Sequence, residues 1–432
     1  MRKLYGLAIV LLPQLLHAQF DSLPNFRYND KRGINVFETP KQRVDTADRF
    51  KIRLGAGFTQ QFQALSHSNT TDDNDKVENS LYAISPGFTT AMANLTIDAQ
   101  LSPGIRFNLT TYLSTRYHNE ARLKEGYLQF DRLPFKGNGW NKLMKVMTIK
   151  AGYMEINFGD AHFRRSDGGQ TIYNAFAENY ILDAFTTEIA TEVYVRKNGF
   201  FAMGGISNGM NKGNVDSLMA TAQDGNIHKS PALYIKGGID KSIEDLFRMR
   251  VSGSFYHNGS SGGNTLYTGD RAGSNYYMVM EKADSGVTYA TNAFSGRLDP
   301  GFTKKVDALQ LNALVKIIGF EIFTTYEIAR GRTATEESTR QVKQLAVDWI
   351  YRFGTNGEFF IGSRYNSVKA QLAGFPEEVE INRAVMSAGY FFTKNILLKA
   401  EYVDQRYLHF PEHDYRYEGE FHGCMIQAVV GF

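Results

Sequence analysis

The sequence predicts an all-β fold: a transmembrane antiparallel β-barrel of about 16 strands with one long loop folded inward. Three observations predict it. Apolar and polar residues alternate with period two from about residue 50 to the last residue. Turn-forming residues cut that alternation into hairpins. The connections inside hairpins are mostly short, while those between hairpins are often long and polar, which is the rim asymmetry of an outer-membrane barrel.

The N-terminus reads as a secretory signal. Arg2 and Lys3 precede an apolar run over residues 4–16, and Leu16-His17-Ala18 offers a small residue for cleavage before Gln19. The run is shorter than the roughly 20 residues of a spanning helix. Residues 1–18 are therefore expected to be a signal peptide. Residues 19–49 lack strand alternation and are expected to form a periplasmic N-terminal segment, either an arm or a small plug. Residues 50–432 are the expected barrel.

The strands follow in order. The first covers about residues 50–65. In residues 90–101, Ala91, Ala93, Leu95, Ile97, Ala99 and Leu101 form one face, and Asn94, Thr96, Asp98 and Gln100 the other. After Ser102-Pro103-Gly104 the alternation resumes with Ile105, Phe107 and Leu109. A second hairpin pairs about 121–130 with 144–158; its phase is ambiguous, because Lys124 and Glu125 are adjacent and one would have to face lipid or lie at a rim. Five more hairpins turn at Lys197-Asn198-Gly199, before Phe247, at Ile318-Gly319, at Gly354-Thr355-Asn356-Gly357 and at Thr393-Lys394-Asn395. A last strand, about 418–432, brings the total to an even number and places both ends on the short-turn side.

Composition agrees. Aromatic residues make up 13% of the chain, and Phe58, Tyr153, Phe158, Tyr326, Trp349, Tyr351, Tyr390 and Tyr402 fall near strand ends, as interfacial girdles require. The alternative, a soluble β-sandwich, would bury its apolar faces between two sheets and suits such long one-sided loops poorly. Lys plus Arg total 48 against 45 Asp plus Glu, a near balance that gives no argument for nucleic acid as a partner. The lone Cys424 excludes an internal disulfide framework and reads as a small lipid-facing residue.

With the apolar face outward, the other face lines the lumen. Phase assigns inward the cations Arg53, Arg106, Arg116, Lys150, Arg196, Lys236, Arg248, Arg250, Lys316, Arg352, Arg364, Arg383 and Lys399. The inward acids are Asp98, Glu188, Glu192, Glu321, Glu327, Asp348 and Glu401. The longer basic list favours an anion-preferring aqueous channel. The competing reading is a paired network that only stiffens the wall.

One stretch needs a separate explanation. "GDAHFRRSDGG", residues 159–169, opens a loop of nearly thirty residues that is apolar at Ile172, Tyr173, Phe176, Tyr180, Ile181 and Phe185. It is expected to fold into the barrel, with Asp160, His162, Arg164, Arg165 and Asp167 at the pore constriction. As catalytic or metal groups these residues match no ligand motif, and no Gly-x-Ser-x-Gly elbow is present. The acidic "TTDDNDKVEN" lacks the turn glycine of an EF-hand loop and reads as a solvated external loop.

"AGYMEINFGDAHFRRSDGG" resembles the phosphate-selective porin O and P family, which includes many porins of Bacteroidetes; the specific part covers about residues 147–208. The resemblance implies a sixteen-strand barrel, a homotrimer, and passive passage of small anions. The ending "CMIQAVVGF", closing on Phe432, resembles the C-terminal membrane-insertion signal of outer-membrane barrels, read by the barrel-assembly machinery. The expected function is an outer-membrane porin for small hydrophilic, anionic or polar solutes, surrounded by lipids and lipopolysaccharide. No cofactor, metal or catalysis is expected. The rival readings are a barrel enzyme with its site in the external loops, and a plugged structural or secretion-associated barrel.

Overall fold

The computed structural model describes residues 26–39, 41, 50–70, 79–114, 120–133, 137–244, 246–268, 273–284, 286–292 and 295–432. The expected signal peptide, Arg116 and most of the acidic loop lie outside the described residues.

Strand β1 (Lys51–Ser68) is followed by the two-residue β2 (Gly87–Phe88), then β3 (Met92–Ser102), β4 (Ile105–Ser114), β5 (Glu120–Phe130) and β6 (Met147–Glu155). Next come β7 (Thr187–Lys197), β8 (Phe200–Ser207), β9 (Ala232–Ile243), β10 (Phe247–Asn258), β11 (Lys305–Ile317) and β12 (Phe320–Arg332). The chain ends with β13 (Arg340–Phe353), β14 (Phe359–Gln371), β15 (Glu378–Thr393), β16 (Ile396–Leu408) and β17 (Glu420–Gly431). Of these 17 strands β2 only flanks the upper part of β1, at Phe62↔Phe88 and Gln63↔Gly87, so 17 less one leaves 16 in the wall.

Every wall strand pairs antiparallel with its neighbour. The sheet closes where β1 meets β17, from Gly57↔Gly431 to Ser68↔Glu420, while its other edge holds β3 from Lys51↔Gln100 to Thr59↔Met92. Closure satisfies every edge strand, which a hydrocarbon surround demands. The period-two pattern then sets the faces. Leu54, Leu95, Ile189, Ile235, Leu311, Leu345 and Ile426 are exposed on the outside. Their neighbours Asp98, Glu192, Lys236, Asn312 and Gln427 are buried inside.

The short turns form where the chain tolerates a left-handed backbone. Asn198 (φ 54°) and Gly199 (φ 82°) join β7 to β8, a pairing suited to a tight hairpin turn. Ile318 takes φ 54° in the β11–β12 turn despite its branched side chain.

Two expectations are corrected. The pairing of β4 with β5 shifts between Thr110↔Glu125 and Thr111↔Leu123, a bulge that leaves Lys124 as the extra residue. Lys124 and Glu125 both point inward, so neither meets lipid. Phe158 is not an interfacial residue. β6 ends at Glu155, the chain turns into the barrel, and Phe158 is buried against Tyr256 with ring centroids 6.1 Å apart.

The lumen is largely filled, unlike the open aqueous channel expected. Residues 156–186 fold inward and bury Ile172, Phe176, Ile181 and Phe185. Described parts of the 259–304 loop join them through Leu266, Tyr267, Tyr276 and Val279, in one apolar core with wall residues of β9 to β17.

Candidate functional site

Among the described residues a polar cavity of about 190 Å³ lies between the inward loop and the wall formed by β1 and β3–β7. Residues of the N-terminal segment, among them Arg27 and Glu38, complete its lining.

The inward loop is held by charge and by close fit. Its tip presses on the wall at Gly169, whose backbone donates to Asn94 Oδ1 (2.9 Å) and accepts from Thr59 Oγ1 (2.8 Å). On the far side Lys399 Nζ donates to the carbonyls of Thr171, Asn174 and Phe176 at 3.0, 2.8 and 2.9 Å. Arg364 Nη1 reaches Glu178 O (2.8 Å), and Arg383 Nη1 reaches Asn179 O (2.7 Å). These three inward cations therefore anchor loop backbone. A buried carbonyl left without a donor would cost about 1–3 kcal/mol, so each bond specifies the loop position.

The residues expected at the constriction divide. Asp160 lies away from the cavity, in ion pairs with Lys236 (2.7 Å) and Arg250 (2.7 Å), and takes a further hydrogen bond from Ser252 Oγ (2.7 Å). Burial opposes its ionisation, but those two cations hold it well below the usual carboxylate range. Arg164 also faces away, toward Glu321 (2.7 Å) and Asn35. Arg165, His162 and Asp167 line the cavity. Arg165 pairs with Asp183 (2.6 Å) and Asp167 (3.2 Å) and lies over the Phe185 ring at 3.7 Å. His162 sits between Glu155 and Asn157 Oδ1 (3.0 Å), and burial lowers its pKa, favouring the neutral ring.

Many inward cations are paired. Arg53 meets Asp98 (2.7 Å), Arg106 meets Asp131, Arg248 meets Asp240 (2.6 Å), and Arg364 meets Asp348 (2.6 Å). Arg352 approaches Glu321 at 3.5 Å, and Lys316 lies opposite Glu321 in register. The inward glutamates are not solvated either: Glu327 accepts from Tyr267 OH (2.7 Å) and Glu401 from Tyr276 OH (2.5 Å), both from the second inward loop. Lys150 and Arg196 differ. Both line the cavity with no carboxylate within ion-pair distance among the described residues; Lys150 lies 4.4 Å from the Tyr127 ring and feels Glu125, and Arg196 donates to Thr39 O and feels Glu38.

Sequence reasoning missed Lys124, Glu125, Glu155, Arg27 and Glu38 as lining residues. The first two depend on a bulge that alternation cannot show. The last two belong to a segment without strand pattern. Among the described residues no cluster of His, Cys, Asp and Glu could hold a metal ion.

Solved structures place this architecture. The outer membrane channel DcaP of Acinetobacter baumannii matches with TM-score 0.53 and 14% identity, over 90% of this chain and 99% of that one. The anion-selective porin from Comamonas acidovorans matches with TM-score 0.52 and 8% identity, over 89% of this chain and 100% of that one. The fold is that of an outer-membrane porin. A trimer form of OmpT from Vibrio cholerae shares the porin fold at TM-score 0.50 and 10% identity, over 89% and 100%. No protein-family model and no curated protein sequence matches the chain. The closed sheet, its apolar exterior and this likeness make the protein an integral outer-membrane β-barrel.

Proposed function

We propose that the protein is a passive porin for small hydrophilic solutes, preferring anions, and acting without catalysis or cofactor. The observation that carries the reading is the cavity wall at Lys150 and Arg196, two cations with no carboxylate within ion-pair distance among the described residues, although Glu125 and Glu38 act on them across the cavity. Rings of basic side chains in a pore favour anions. The resemblance of residues 147–208 to phosphate-selective porins extends the solute class to phosphate-like anions. The engagement of Asp160 and Asp167 in ion pairs, and of His162 in hydrogen bonds with Glu155 and Asn157, supports a non-catalytic reading.

The barrel would contact lipids and lipopolysaccharide. The proposal includes a homotrimer, as in the OmpT trimer form, and recognition of the Phe432 end by the barrel-assembly machinery during insertion. The filled lumen favours one second reading, a plugged structural barrel.

Purified protein in a planar bilayer separates the two. A porin gives stepwise current, and a salt gradient gives an anion-signed reversal potential. Lys150→Glu with Arg196→Glu should move that potential toward cations. Absence of current both from the wild-type protein and from variants with a widened lumen supports the plugged barrel, and a cation-signed potential removes the anion preference.

A further inference from the structure

Residues 26–39 are not a free arm: they run across the short-turn mouth inside the wall. At one end Lys31 Nζ donates to the carbonyls of Asn356 and Gly357, both at 2.7 Å, in the β13–β14 turn. The Lys31 backbone N–H donates to Lys394 O (2.9 Å) in the β15–β16 turn. Further along, Asn35 Nδ2 donates to Glu321 Oε2 on β12 (2.7 Å), and Arg248 on β10 donates to Asn35 O (2.8 Å). At the other end Arg196 on β7 donates to Thr39 O, and Lys41 reaches Asp131 O (3.1 Å) below β5. The segment thus reaches from the β15–β16 side round to the β5–β7 side of one opening.

The wall is shaped to receive it. A Cβ at Gly431 would stand 2.1 Å from Asn29 O, and one at Gly55 2.0 Å from Asn29 Nδ2. Two glycines on adjoining strands β17 and β1 leave the space that Asn29 occupies.

The attachment is of a different kind from that of the two inward loops. Those loops share the main apolar core. The N-terminal segment contributes Phe37 to a small separate cluster with Tyr180, Leu314 and Phe323, and only the half-buried Ile34 touches the main core. Its other contacts among the described residues are mostly hydrogen bonds, ion pairs and cation–ring contacts such as Arg27 over Tyr173. Water can replace polar contacts at low net cost, whereas withdrawing the loops would expose the core.

Its charge matters as well. Glu38 lines the cavity and pairs with Lys236 (3.1 Å) and Arg250 (2.8 Å). Without Glu38 those two cations would share Asp160, with Asp240 beside Arg250 at 3.2 Å, and the interior would carry one more uncompensated positive charge.

We infer that residues 26–39 form a displaceable strap that narrows the short-turn mouth and, through Glu38, sets the charge of the pore floor. The inference rests on the porin reading above. Displacing the strap widens the path and strengthens the preference for anions.

The test compares three proteins in a planar bilayer in potassium chloride: the full chain, the Lys31→Ala/Asn35→Ala/Glu38→Gln variant, and a variant lacking residues 26–39. Folding is checked by the shift in gel mobility between unheated and boiled samples. The strapless barrel should conduct at least threefold more than the full chain. Both variants should raise the anion-to-cation permeability ratio at least twofold. A silent full chain beside conducting variants also supports the strap. Folded variants with the conductance and ion preference of a conducting full chain overturn the strap and leave the porin reading standing. If no form passes current, both fall. Should the deletion fail to fold, the triple substitution decides by the same criteria.

Discussion

Arg164 and Arg165 are neighbours in the chain with opposite surroundings. Alternation says nothing about an irregular loop, so the sequence could place the pair at the constriction but not separate its members. The fold turns Arg164 toward Glu321 and Arg165 toward the cavity. Arg165→Ala is therefore expected to shift the reversal potential toward cations. Arg164→Ala should leave selectivity unchanged but destabilise the barrel by about 3 kcal/mol, because Glu321 loses its nearest cation in a buried site. Equal selectivity shifts in the two variants would contradict this placement. Glu178 supplies a pH dependence. It accepts backbone N–H groups from Asn179 (3.0 Å) and from Asn275 and Tyr276 (3.0 Å) of the second inward loop, a clip that joins the two loops. Burial pushes its pKa up to about 7, with Arg383 and Arg297 pulling the other way. A carboxyl raised in this way favours the clipped state fully below its unfolded value near 4.5, and that contribution is lost as pH rises through about 7. Protease cleavage within the two loops should thus quicken between pH 5 and about 8, and Glu178→Gln should flatten the dependence. A flat wild-type profile would exclude the clip.

At the scale of elements, the hairpins were legible because their signals are local. Pro103-Gly104 and Asn198-Gly199 break an alternation that resumes in the next strand, and each turn falls where that break occurs. The β5 bulge was not legible, since the insertion of Lys124 is defined only against its partner β4. The end of β6 was misjudged for a related reason. Phe158 continues an apolar spacing, but the β6–β7 pairing stops at Glu155↔Thr187. The inward loop was legible as apolar, yet its contact with the wall required the fold. A Cβ on Gly169 would lie 2.4 Å from Ala93 Cα and 2.5 Å from Gly57 O, with backbone on both sides. Gly169→Ala should lift the loop tip from β1 and β3 and change single-channel conductance about twofold or more. Gly213→Ala, where a Cβ meets nothing within 4 Å, is the control. Identical conductance in the two variants would mean that the tip does not border the conducting path.

For the whole molecule, closure and exterior polarity act together. β1 is the first strand and β17 the last, so the sheet is complete only when the ends of the chain meet. The outer face must then be apolar along its whole height, and Ile426 at mid-β17 is 45% exposed. Ile426→Arg should cost about 2–4 kcal/mol if that position lies at the bilayer midplane. Unfolding by urea in lipid vesicles measures it, and a loss no larger than that of Gln427→Arg on the inner face would count against an outward apolar band. The interior obeys a different rule. Its charges are tolerated because loop backbone, tyrosine hydroxyls and opposite charges satisfy them, rather than because water fills the lumen.

The barrel is written in the chain: strand number, the facing of most wall residues outside the β5 bulge and the end of β6, the short-turn rim and the inward loop follow from period-two alternation and turn chemistry, which are local properties. How much of the lumen stays open, which arginine borders the cavity and where the N-terminal segment lies across the mouth emerge only once the chain is folded. Those outcomes depend on which groups meet across the barrel, and contacts such as Lys31 with Asn356, more than three hundred residues apart, leave no periodic trace in the sequence.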